Sequence, residues 1–173
     1  TMGLTFVDEV KGGNIPKEYM PAIQKGFESS MTNGPLAGFP LDSMKVTVLD
    51  GSFHPVDSDA LSFEICARNG FREAAKKASP VILEPIMKVE LTTPDENMGD
   101  LIGDITSRRG TIVEINAGEN SFTRVHANVP LSELFGYATA IRSLSRGRAS
   151  YSMEPAHFER VPKQVQDKIV EKK

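Results

Sequence analysis

The chain has 173 residues, 39% of them apolar and 25% charged, with a formal charge of −3, the balance of a soluble globular protein of one domain or two small ones. Its apolar runs are only a few residues long, which excludes a membrane-spanning helix, and Thr1-Met-Gly-Leu4 has no basic-then-apolar leader. Residues 1–85 hold 8 Lys and Arg against 11 Asp and Glu, and residues 86–173 hold 12 against 12; such a balance argues against a protein that coats nucleic acid, so any RNA contact should be local.

Thr5-Phe-Val-Asp-Glu-Val10 has the composition of a short strand, closed by Lys11-Gly-Gly13. Asn14 offers an N-cap and Ile15-Pro16 opens a helix; Tyr19, Ile23, Phe27 and Met31 form its apolar stripe, and Asn33-Gly34 stops it. Pro35-Leu-Ala-Gly-Phe-Pro40 is a compact loop. Met44, Val46 and Val48 then alternate with Lys45 and Thr47, the period of a half-buried strand, which Asp50-Gly51 ends. The loop Gly51-Ser-Phe-His-Pro-Val-Asp-Ser-Asp59 follows, with Phe53, His54 and Pro55 at its apex; Pro55 pushes His54 towards an extended backbone.

Asp57 or Ser58 caps the next helix, whose apolar face runs Ala60, Phe63, Ala67, Phe71 and Ala74, widened by Leu61 and Ile65. Lys76 and Lys77 suit its negative end, and Pro80 stops it. The only cysteine, Cys66, reads as a buried inert thiol in this helix and fits a reducing, cytoplasmic home. This first part is therefore β-α-β-α. Two strands cover two helices poorly, so part of a sheet is expected to be missing, with an apolar face and a sheet edge left for a homodimer or the C-terminal helix to cover.

From Glu84 the pattern tightens. Met87, Val89 and Leu91 alternate with Lys88 and Glu90 as a strand; Thr93-Pro-Asp-Glu96 reads as a capping box before a helix bearing Met98, Leu101, Ile102 and Ile105. Two strands, Thr111–Asn116 and Ser121–Val129, are joined as a hairpin. Pro130 opens a second helix with Leu134, Ala138, Ile141 and Leu144, and Ala149, Tyr151 and Met153 mark a last strand. The order β-α-β-β-α-β predicts a ferredoxin-like sandwich with both helices on one sheet face. Val161–Lys173 reads as a charged helix.

Chemistry is sparse. No Gly-x-x-x-x-Gly-Lys-[Ser/Thr] loop is present, so no triphosphate cradle of that kind is expected, and neither a dinucleotide fingerprint nor a nucleophile elbow occurs. His54, His126 and His157 are scattered; the loose His54-x-x-Asp57-x-Asp59 reads as a solvated loop, and no metal is predicted. His54 is either satisfied by its own helix N-terminus or exposed as a recognition residue on a stiff tip. His126 reads as a cross-strand pairing residue on a polar register with Phe122 and Arg124. Arg108-Arg109 and Arg146, Arg148 fall near the C-termini of the two helices, where cations favour the helix dipole; as corresponding ends of a repeat they also suggest one shared phosphate-facing edge.

Seven segments together carry a resemblance: Lys11-Gly-Gly-Asn-Ile-Pro16, Asn33-Gly-Pro-Leu-Ala-Gly38, Gly51-Ser-Phe-His-Pro-Val-Asp-Ser58, Leu83-Glu-Pro-Ile-Met87, Gly99-Asp-Leu-Ile-Gly-Asp104, Val129-Pro-Leu-Ser-Glu-Leu-Phe-Gly-Tyr-Ala138 and Arg146-Gly-Arg-Ala-Ser-Tyr151. In order and almost throughout, the chain resembles the C-terminal part of bacterial translation elongation factor G. The resemblance implies an α+β chain: residues 1–83 as the later part of the fourth domain, an incomplete ribosomal-protein S5-like fold, residues 84–155 as the ferredoxin-like fifth domain, and residues 156–173 as a helical tail.

By the same resemblance the parent is a GTPase, using GTP with Mg, that translocates tRNA and mRNA; this piece, lacking the GTPase domain, would have no catalytic residue and no cofactor. The implied partner is the ribosome, through 16S and 23S rRNA, the tRNA–mRNA in the decoding centre and the large-subunit stalk base. Phe53, His54, Pro55 and Asp57 would form the decoding-centre tip, and Arg108, Arg109, Arg146 and Arg148 would face rRNA. Alternatives are a paralogue specialised in ribosome recycling or protection and, from a different class, a ferredoxin-like small-molecule-binding module.

Overall fold

A computed structural model describes residues 3–172, which form two units: one built from the residues up to Ile82 together with those from Lys163 onward, the other from Leu83–Pro162. In the first unit, β1 (Leu4–Asp8) pairs in parallel with β2 (Met44–Val48), Phe6 opposite Val46. Leu4, Phe6, Met44, Val46 and Val48 lie against α1 (Met20–Met31) and α2 (Ala60–Lys77). Strand alternation turns Thr5, Val7, Lys45 and Thr47 the other way. The apolar sheet face expected to lie open is thus covered by α1 and α2.

Ile23, Phe27 and Met31 of the predicted stripe are buried on α1, but Tyr19 is only half-buried in a 3-10 turn at Lys17–Tyr19 and the helix starts at Met20, itself buried, rather than at Ile15-Pro16. Gly26 lets α1 and α2 touch: a Cβ there would stand 2.5 Å from the Glu64 carbonyl oxygen and 2.9 Å from Ala67 Cβ. On α2, Ala67, Phe71 and Ala75 are buried, whereas Leu61, Ile65 and Cys66 are exposed. The expected wide stripe and buried thiol are therefore corrected. A two-stranded sheet covers only one narrow face of an eighteen-residue helix.

In the second unit, β3 (Leu83–Pro94), β4 (Thr111–Ala117), β5 (Phe122–Pro130) and β6 (Ser150–Arg160) form an antiparallel sheet in the order β4-β5-β3-β6, with α3 (Met98–Ser107) and α4 (Tyr137–Ser145) on one face. This is the ferredoxin-like arrangement. Val89, Leu91, Val125 and Val129 from the sheet meet Leu101 and Ile105 of α3 at 0% exposure. Each outer strand carries one extra residue: Val113 lies between the pairs Ile112–Ala127 and Glu114–His126, and Ala156 between Pro155–Met87 and His157–Ile86.

Several boundaries shift. Thr93 is a buried strand residue whose hydroxyl donates to the Pro94 carbonyl, so it caps nothing; a 3-10 turn at Asp95–Asn97 precedes α3. A similar turn at Leu131–Glu133 delays α4 to Tyr137. β6 runs to Arg160 rather than ending near residue 155, and α5 (Lys163–Glu171) groups with the first unit, where the Ile82 amide donates to Gln166 Oε1 at 3.0 Å. Among the described residues, no α5 side chain belongs to the first unit's apolar core.

Candidate functional site

The loop from Gly51 to Asp59 is fixed at both ends. At its start, Asp50 Oδ1 accepts from Asn14 Nδ2 and from the Gly51 amide, both at 2.8 Å. These bonds hold the Asp50 carboxyl below the ordinary carboxylate range, the Asn14 bond most strongly. Gly51 passes so close to Ile15 that a Cβ would meet Ile15 Cδ1 at 2.5 Å. At its end, Asp59 in extended conformation caps α2 by accepting from the Ser62 amide at 2.7 Å; Ser62, through its side chain first and then through that amide, depresses the Asp59 pKa. The cap is Asp59, not Asp57 or Ser58 as expected. It also binds the last member of the loose His54–Asp57–Asp59 spacing to the helix. Among the described residues no group of three or more His, Cys, Asp or Glu could hold a metal ion.

Between these anchors the chain makes one tight turn. The His54 carbonyl accepts from the amides of Asp57 and Ser58 at 3.1 and 2.9 Å, while the His54 amide donates to Ser58 Oγ at 3.0 Å. Phe53 faces inward: its ring lies 5.5 Å from that of Tyr19, which stacks on Phe63 at 4.8 Å. It is a half-buried buttress beneath the apex, held there by the aromatic ladder. His54, Pro55 and Asp57 are exposed, and between them Val56 is 93% exposed. The apex is therefore His54-Pro-Val-Asp57. Sequence reasoning misses Val56 because nothing in its context separates a core valine from one carried outward by a turn.

The arginines divide. Arg108 Nε donates to Asp104 Oδ2 at 2.9 Å, and its Nη1 reaches the carbonyls of Glu133 at 2.6 Å and Phe135 at 3.3 Å; its guanidinium stands 5.2 Å above the buried Tyr137 ring. Arg109 grips Glu84 through two bonds of 2.7 and 2.9 Å and Glu133 through one of 3.0 Å. Chiefly through Glu84, and then Glu133, this raises the Arg109 pKa. Burial pushes the Tyr137 phenol up, with Asp104 adding to it. Arg148 instead pairs with Glu96 and donates to Asn97 Oδ1 at 3.1 Å, and Asn97 Nδ2 donates to the Leu144 carbonyl at 3.1 Å.

So the end of α3 meets the start of α4, and the end of α4 meets the start of α3. The two helices are antiparallel, and Arg108 and Arg109 lie at the opposite end of the unit from Arg146 and Arg148. A single edge shared by all four is ruled out. Repeats in a ferredoxin-like fold run in opposite directions, which a sequence comparison of helix ends does not register. Arg146 caps α4 in the left-handed conformation (φ 54°), the Gly147 amide donating to the Arg142 carbonyl at 2.9 Å. Arg142 and Arg146 are exposed, and no ion pair is found for either among the described residues. On the open face of the sheet, Glu90 receives Arg124 at 3.6 Å and His126 at 3.8 Å, the cross-strand pairing expected of His126.

The family descriptions "Elongation factor G, domain IV" and "Elongation factor G C-terminus" match residues 1–79 and 81–169, one after the other. The chain belongs to the elongation factor G family. A curated "Elongation factor G" from Amoebophilus asiaticus is 58% identical over 171 residues, covering 99% of this chain and 24% of that protein. A crystal structure of a Thermus thermophilus protein superposes with a TM-score of 0.84 at 37% identity, over 98% of this chain and 26% of that one. The chain thus spans about a quarter of the length of these two relatives. The buttressed tip falls within the elongation factor G domain IV match, and both arginine ends fall within the C-terminal match.

Proposed function

We propose that this chain is the ribosome-binding C-terminal part of an elongation factor G, a translational GTPase that moves tRNA and mRNA through the cytoplasmic ribosome. The observation that carries the reading is the tip. A turn of exposed His54, Pro55, Val56 and Asp57, held by Asp50, Asp59 and the Phe53–Tyr19–Phe63 stack, lies in the part that matches domain IV. Such a loop is rigid before it binds, so little ordering cost falls on the encounter with the paired tRNA and mRNA of the decoding centre. Arg146, with Arg142, supplies local phosphate contact to large-subunit rRNA; Arg108 and Arg109 are committed to internal carboxylates and carbonyls. GTP with Mg and the hydrolysis it undergoes belong, in this reading, outside these residues, since the sequence has no triphosphate-binding loop.

The test is co-sedimentation of the chain with 70S ribosomes across a salt series, wild type against Arg142→Ala/Arg146→Ala and His54→Ala. Saturable binding is expected, with the double arginine change lowering the slope of log affinity against log salt by about 1–2. Binding that ignores salt and both changes, or no binding at all, would overturn the proposal.

A further inference from the structure

Two sets of contacts hold the turn at His54–Asp57. One set is local: the His54 carbonyl accepts from the Asp57 and Ser58 amides, the His54 amide donates to Ser58 Oγ, and Asp59 accepts from the Ser62 amide. None of these bonds reaches beyond four residues, so they define the shape of the turn and its join to α2, not its direction. The other set comes from far along the chain, from the connection between β1 and α1. Asn14 Nδ2 donates to Asp50 Oδ1 at 2.8 Å, buried Ile15 leaves no room for a Cβ on Gly51, and the Tyr19 ring lies 5.5 Å from that of Phe53. Asn14, Ile15 and Tyr19 thus meet Asp50, Gly51 and Phe53 in order, and the rising limb of the loop is laid along this segment.

The segment has its own supports. Pro16 is extended (φ −59°, ψ 136°), and its carbonyl closes the 3-10 turn by accepting from the Tyr19 amide at 3.0 Å. Tyr19 is half-buried at the margin of the core, whereas Ile23, Phe27 and Met31 are buried within it. Its ring is shared: Phe53 on the rising limb and Phe63 on α2 both pack against it, so the two sides of the loop are referred to one ring. We infer that Tyr19, with Asn14, is a positioning residue for the tip, acting through Phe53 and Asp50 to set where His54, Pro55, Val56 and Asp57 point. The inference rests on the ribosome-binding reading and deepens it, by separating the residues that meet the partner from those that aim them. A tip displaced by about 1 Å loses contacts that depend on geometry even when every contacting side chain is intact.

The test compares Tyr19→Ala, Tyr19→Phe and Asn14→Ala with the unchanged chain. Residual dipolar couplings of the backbone amides report direction. In Tyr19→Ala those of His54, Val56 and Asp57 should change while those of α1, β1 and β2 stay, and Tyr19→Phe should keep them all. Affinity for 70S ribosomes carrying mRNA and tRNA should fall about tenfold in Tyr19→Ala, with Tyr19→Phe close to the unchanged chain and Asn14→Ala between them. The loss should vanish when the same change is made in a chain already bearing His54→Ala/Asp57→Ala, because aim matters only to contacts that exist. Tip couplings that stay put in Tyr19→Ala, or that change together with those of α1 and β1, would overturn the inference alone. So would an affinity loss that is absent or equal in both backgrounds. No binding by the unchanged chain would overturn the ribosome reading as well.

Discussion

Each unit packs two helices on a sheet, and the two cores are very different. In the second, a four-stranded sheet under two helices leaves Val89, Leu91, Leu101, Ile105, Val125 and Val129 at 0% exposure. In the first, two strands lie under two helices and no core apolar residue falls below 5%. The difference lies in sheet width, not in helix quality: α2 is well capped and twice the length of α4, yet it leaves Leu61 and Ile65 in water because too little sheet lies beneath it. Burial, and with it most of the stabilisation, follows the area two layers share.

The largest effect that sharpens this contrast is Leu101→Ala. At a site with no exposure and neighbours on all sides, it should cost the second unit about 4 kcal/mol, read by urea unfolding, while hydrogen exchange in β1 and β2 stays as it was. A loss under about 1 kcal/mol would show the second core to be no tighter than the first. Next is Gly26→Ala. The first unit's helices depend on close approach there, and a Cβ 2.5 Å from a backbone oxygen must force them apart, at about 2–3 kcal/mol. Its signature is faster amide exchange in α1 and α2 alone; an unaltered α1–α2 pair would break the claim that the first unit is held by helix contact.

Removing the cap, Asp59→Ala, should cost about 1 kcal/mol. It should appear as fraying of the first turn of α2 and weaker order at His54–Asp57, measured by backbone NMR. The smallest effect is acid loosening of the same loop. Asp50 and Asp59 have folded-state pKa values below the ordinary carboxylate value of 3.8. Their contribution is therefore present above that value and lost as pH falls through the depressed ones. The Asp50 and Asp59 carboxyl signals should titrate below 3.8; a midpoint above it would remove both bonds from the account.

Periodicity makes most of this architecture readable. The alternation of Met87–Leu91 and Met44–Val48 and the stripe Ile23–Phe27–Met31 are local patterns, and each lies where its period puts it. The sites are less legible because their decisive contacts are long-range. Phe53 reads as a tip residue in sequence but its ring packs tilted against Tyr19, thirty-four positions earlier; Arg109 reads as an RNA contact but its partner Glu84 lies twenty-five positions away. Gly136 is the residue type that a left-handed turn favours, but an exposed Phe135 beside a buried Leu134 has no sequence signal.

The extra residue in each outer strand of the larger sheet has a consequence for growth. A continuous edge is a template on which another chain can lay a strand, and Val113 and Ile115 would make β4 an adhesive one. Val113 and Ala156 break the hydrogen-bond spacing midway along the two borders, and Pro155 withholds a donor beside the second break. The sheet stops at four strands, so the unit can keep apolar groups at its rim for a partner without offering that rim to copies of itself.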